Sequence, residues 1–74
     1  MSQHNIMTAD GFDEALIGTD WRTGRMIYSA NKCVRILMKR DRMDLMEALE
    51  FLEFNTFCAY VGEGTPIFLD DLNG

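Results

Sequence analysis

Histidine is nearly missing from this chain, and with it the usual routes to neutral-pH acid–base catalysis and to metal binding. The one imidazole, His4, lies in a polar opening, MSQHNIMTAD, without apolar periodicity. That opening is expected to be a flexible tail over residues 1–10, ahead of a single domain over 11–74. The two cysteines, Cys33 and Cys58, sit among apolar neighbours and read as reduced core residues, with a disulfide or a metal site as the lesser reading. No apolar run approaches the roughly 18 residues that a membrane span needs. A basic-then-apolar signal pattern is also missing, so the expected location is cytoplasmic. Positive charge is absent from most of the chain. Residues 1–21 carry four acids and no Lys or Arg, and residues 43–74 carry seven acids and no Lys or Arg. All seven bases lie between them, where Asp41 is the one acid. The net charge of −5 therefore conceals a basic middle between two acidic ends. Such segregation either neutralises itself in the fold or marks a surface for partners.

What is present is enough apolar material for a core. At 47% apolar, the 74 residues can fold as one domain, though without room for both a thick core and a deep substrate cavity. The stretch ALIGTDWRTGRMIYS predicts a hairpin with Thr23-Gly24 at a two-residue turn. That register pairs Trp21 with Met26 and Thr19 with Tyr28, and gives one apolar face of Ile17, Trp21, Met26 and Tyr28. Arg22 and Arg25 would lie at its tip. SANKCVRILMKR predicts a helix capped by Ser29, with an apolar arc of Ala30, Cys33, Val34, Ile36, Leu37 and Met38. Lys32, Arg35 and Lys39 form a basic stripe on its other side.

DRMDLMEALEFLEFNTF predicts a second helix, with Asp44 and Glu47 as a capping box and Met43 as a staple. Its inner face would be Leu45, Ala48, Leu49 and Leu52. The opposite side holds Glu47, Glu50 and Glu53 together with Met46, Phe54 and Phe57. Large apolar residues beside glutamates do not suit a purely solvated face. Either this helix is sandwiched between the sheet and the first helix, or the side is a docking patch for a partner or a second copy. Next, VGEGTP ends the helix and turns, and Pro66 opens a short edge strand, Ile67-Phe68-Leu69. The expected fold class is α+β in the order β-β-α-α-β: a three-stranded, mostly antiparallel sheet with two helices on one face.

The chemistry-bearing patterns are weak. VGEGTP resembles a phosphate cradle only superficially. It lacks the glycine spacing and the lysine of a P-loop, and it carries Glu63. No nucleophile–base–orienter set is visible, the glutamates read as solvated, and neither catalytic residues, a metal nor a cofactor is expected. Enzyme or enzyme-subunit activity stays a minor alternative. The bases Arg22, Arg25, Lys32, Arg35 and Lys39 could touch phosphates, but net charge −5 and pI ≈ 4.5 oppose a polyanion, so direct nucleic-acid binding is not expected. The converse alternative is an acidic mimic of nucleic acid, built from Asp44, Glu47, Glu50 and Glu53.

The motifs GFDEALIG, KCVRILM, MDLMEALEFLEFN and AYVGEGTPIF, with Tyr28 ahead of the second, carry a resemblance across residues 11–69. In them the chain resembles a group of short proteins encoded by bacteriophages and bacterial genomes. Asp44 departs from the group's serine N-cap, but both residues cap. The resemblance implies a phage origin, and so a host cytoplasm, without implying an activity. The expected function is that of a non-enzymatic accessory protein, a modulator or inhibitor of a host factor, that binds a host or phage protein. The expected contact residues are Met46, Glu47, Glu50, Glu53, Phe54 and Phe57, and a homodimer is possible through the same patch.

Overall fold

A computed structural model describes residues 6–57 and 62–72. A short 3₁₀ turn, Asp13–Ala15, leads into strand β1, Leu16–Thr19, which is followed by β2, Met26–Ser29. Helix α1 spans Ala30–Arg40, helix α2 spans Leu45–Leu52 and continues as a π-helical turn, Glu53–Phe57, and strand β3 is Ile67–Leu69. The strands lie in the order β1-β2-β3. The α+β class and the element order are therefore those expected from the sequence.

The sheet is mixed rather than mostly antiparallel. β1 and β2 are antiparallel, whereas β2 and β3 run parallel, with Ile27 opposite Ile67 and Tyr28 opposite Phe68. The cause is where the last loop arrives. Arg25, just before β2, donates from Nε to the Thr65 carbonyl at 2.6 Å, two residues before β3. Both strands thus start from the same end of the domain. The intervening helices supply the crossover that a parallel pair needs.

The hairpin also differs from the expected register. Thr19 pairs with Met26, not Tyr28, and the pairing is irregular between Leu16 and Gly18. The connection is longer than Thr23-Gly24 because Asp20 organises it. Its carboxylate accepts from the Arg22 amide at 3.1 Å and the Thr23 hydroxyl at 2.8 Å, and its carbonyl accepts from the Gly24 amide. Gly24 meets the turn's demand for a positive φ, +79°. Trp21 is lifted out of the sheet into this loop and is 91% exposed, which overturns its expected place on the apolar face.

The helices grow from their caps. The Ser29 hydroxyl accepts from the Lys32 amide at 3.1 Å. Asp44 and Glu47 close the capping box with reciprocal bonds of 2.8 and 3.1 Å. Both elements pack on the Tyr28–Phe68 side of the sheet, where those two rings stack at 5.6 Å. The core is Phe12, Ala15, Tyr28, Cys33, Val34, Leu37, Ala48 and Leu52. Leu45, expected on the inner face of α2, is half exposed at the edge of a shallow cavity that Val34, Met38, Leu49 and Leu72 also line. Two residues of the segment expected to be a tail, Met7 and Ala9, are hydrogen-bonded to the domain. The Met7 amide donates to the Gly64 carbonyl at 3.1 Å and the Ala9 amide to the Tyr28 hydroxyl at 2.9 Å.

Candidate functional site

The outward side of α2 is the most unusual surface. Phe54 is 79% and Met46 67% exposed, beside the exposed carboxylates of Glu47, Glu50 and Glu53. The helix is not sandwiched on this side. Its buried residues, Ala48 and Leu52, face the core. Phe51, 39% exposed, adds a second ring that sequence reasoning did not place here. The Asn55 side-chain Nδ2 donates to the Phe51 carbonyl at 3.0 Å, and from Glu53 the helix widens into the π turn. A helical projection at 100° per residue therefore loses its phase after Leu52. Glu47 is partly committed, because one of its oxygens closes the capping box. Phe57 ends the π turn, and its side chain lies outside the described part of the structure.

The basic residues separate into two groups. Lys32, Arg35 and Lys39, joined by Arg40, Ile36, Gly11 and Glu14, line an open groove of about 640 Å³ along α1. Arg22 and Arg25 do not line it. β2 stands between the hairpin loop and α1, and Arg25 is held by the Thr65 carbonyl. Arg40 is fixed at the groove's end. It donates to the Gly11 carbonyl at 2.8 Å, pairs with Asp41 at 3.3 Å and lies 5.6 Å over the Phe12 ring. Among the described residues no close ion pair engages Lys32, Arg35 or Lys39, although Glu14 lines the same groove and the Lys32 charge acts on the Asp71 carboxylate.

A third polar cluster closes the N-terminus of α1. The Asp71 carboxylate accepts from the Ser29 hydroxyl at 2.5 Å and from the Asn31 amide at 2.8 Å. These bonds hold its carboxyl below the ordinary carboxylate range. Cys33 is fully buried nearby, and burial, with the Asp71 charge adding, pushes its thiol up to about 11. A thiol that is protonated and enclosed is a packing residue, not a nucleophile. The cluster is a structural clasp that ties the end of the described chain to the first turn of α1.

The VGEGTP segment is likewise structural over its described residues. Gly62 has φ +126°, and its carbonyl accepts from both the amide and the hydroxyl of Thr65, at 3.2 and 2.6 Å. Cys58 and residues 59–61 lie outside the described residues. Among the described residues, no group of three His, Cys, Asp or Glu side chains could hold a metal ion, and no helix is long and apolar enough to cross a membrane. Neither a family model, nor a curated protein, nor a solved structure matches this chain.

Proposed function

We propose that this protein acts by binding another protein through the outward side of α2. The observation that carries the reading is the exposure of Phe54, 79%, and Met46, 67%, within a row of glutamates. A small domain gains stability by burying such side chains, by roughly 1.5–3 kcal/mol each when burial is complete. Leaving them in water forgoes that gain, which a partner that covers them would recover. Apolar anchors ringed by charge are the usual anatomy of an interface centre and its rim. An accessory role, such as modulation or inhibition of a host factor, suits a small domain in which no nucleophile–base–orienter set is visible in the sequence.

The test is a double variant, Phe54→Ser with Glu50→Lys, compared with the wild type as tagged bait for capture of a protein, an untagged copy of this chain included, from bacterial lysate that contains the untagged chain, and for thermal melting. Exposed positions change stability by about 0.5 kcal/mol or less, which for a domain of this size shifts Tm by about 2–4 °C. Lost capture with a Tm change in that range is the expected result. Unchanged capture would mean that this side is not the binding surface, and a large fall in Tm would mean that these residues serve the core.

A further inference from the structure

The α2 face and the α1 groove are opposite in charge and similar in length, and this similarity suggests what covers each. From Lys32 to Lys39 the basic stripe runs about 10 Å at 1.5 Å per residue. From Glu47 to Glu53 the acidic row runs about 9 Å on the same rise. Each also has apolar content. Ile36 floors the groove and Met38 is exposed on the same helix, while Met46 and Phe54 stand among the glutamates. The two faces cannot meet inside one chain, because α1 and α2 already pack on each other through Cys33, Val34, Leu37, Ala48 and Leu52.

We infer that the occupant of each face is the other face of a second copy of this chain. Phe54 of one copy seats against Ile36 of the next, and Glu50 and Glu53 meet Arg35 and Lys39. A two-fold pair would form this contact twice, which closes the assembly. The inference rests on the binding role of α2 and assigns its partner. Net charge −5 repels two copies at long range, but screening cuts that repulsion off at about 8 Å in physiological salt. Local pairing of stripe with row is left to dominate. The basic stripe, which has no close ion-pair partner among the described residues, thereby acquires one.

Complementary charge reversal tests this directly, read by sedimentation velocity. One variant carries Glu50→Lys and Glu53→Lys, and Glu47 is kept because it closes the cap. The other carries Arg35→Glu and Lys39→Glu. All four positions are exposed, and circular dichroism melting of each variant is the check that it folds. Wild type is expected to self-associate at submillimolar concentration in low salt and to weaken as salt rises to roughly 1 M. Each variant alone should weaken self-association by at least about tenfold, because like charges then face each other. An equimolar mixture of the two should restore it, since each now supplies what the other lost. A wild type that stays monomeric, association indifferent to both reversals, or a mixture that stays monomeric overturns the inference. None of those outcomes touches the broader binding role of α2, which fails only if Phe54→Ser with Glu50→Lys leaves capture from lysate unchanged or sharply lowers Tm.

Discussion

The two helices begin alike and finish differently. Each starts on a side-chain cap, Ser29 for α1 and Asp44 with Glu47 for α2, and each sends a fully buried leucine, Leu37 or Leu52, into the same core. On its outward side α1 follows the usual division, with Lys32, Arg35 and Lys39 in water. α2 sets Met46 and Phe54 among its glutamates. Core formation explains every large apolar side chain of the first two turns of α1. It does not explain Met46 or, in the turn that continues α2, Phe54. A helix that carries more apolar surface than its own domain can cover is shaped by something beyond folding.

The largest expected effects test whether the inner faces are equivalent. Leu37→Ala and Leu52→Ala should each cost about 2–5 kcal/mol in chemical denaturation. That is a large share of the roughly 4–11 kcal/mol expected for a domain of this length. A Leu52→Ala cost far below that of Leu37→Ala would mean α2 is only loosely docked, and its exposed rings would then reflect poor packing. Next in size, Ser29→Ala removes the α1 cap and one partner of Asp71, and should cost about 1 kcal/mol. A cost near zero would show that Asp71 caps the helix alone.

Arg42 links the helices at φ +56°, a left-handed conformation that side chains with a Cβ resist. Arg42→Gly should therefore stabilise by about 0.5–1 kcal/mol in the same assay, and destabilisation would show that the Arg42 side chain matters more than its backbone. The smallest effect is the acid limb. Because the folded carboxyl of Asp71 sits below its ordinary value of 3.8, its contribution is fully present above that value. It declines as pH falls through the folded pKa. Asp71→Asn should flatten this limb of a stability–pH profile while leaving the neutral region parallel to wild type. An unchanged acid limb would place the titration elsewhere, Asp20 being the other carboxyl held low, by its bonds to Thr23 and Arg22.

Local rules made much of this fold legible. Ser29, Asp44 and Glu47 announced both helix starts, because a cap is a contact between residues three apart and needs no tertiary information. The basic stripe was equally plain, since regular helical spacing places Lys32, Arg35 and Lys39 together. The hairpin register was not legible. Thr23-Gly24 satisfies the two-residue turn rule, but the Asp20 carboxylate gathers the same segment into a longer loop, and side-chain competition of this kind leaves no periodic trace. Beyond Leu52 the helical projection is a weaker guide, although Phe54 does lie exposed beside the glutamates as expected. The π turn after Leu52 shifts the phase that a helical projection assumes.

By itself the sequence determined the class, the order of the elements and the segregation of charge, because capping, periodicity and composition act over a few residues. Only the tertiary structure decided that β3 runs parallel to β2, that Trp21 stands in water, and which side of α2 remains uncovered. Each of those depends on where a distant segment arrives, as when Thr65 reaches Arg25 forty residues away. Chain-distant meetings of that kind are selected by packing of the whole domain and are written in no single stretch of residues.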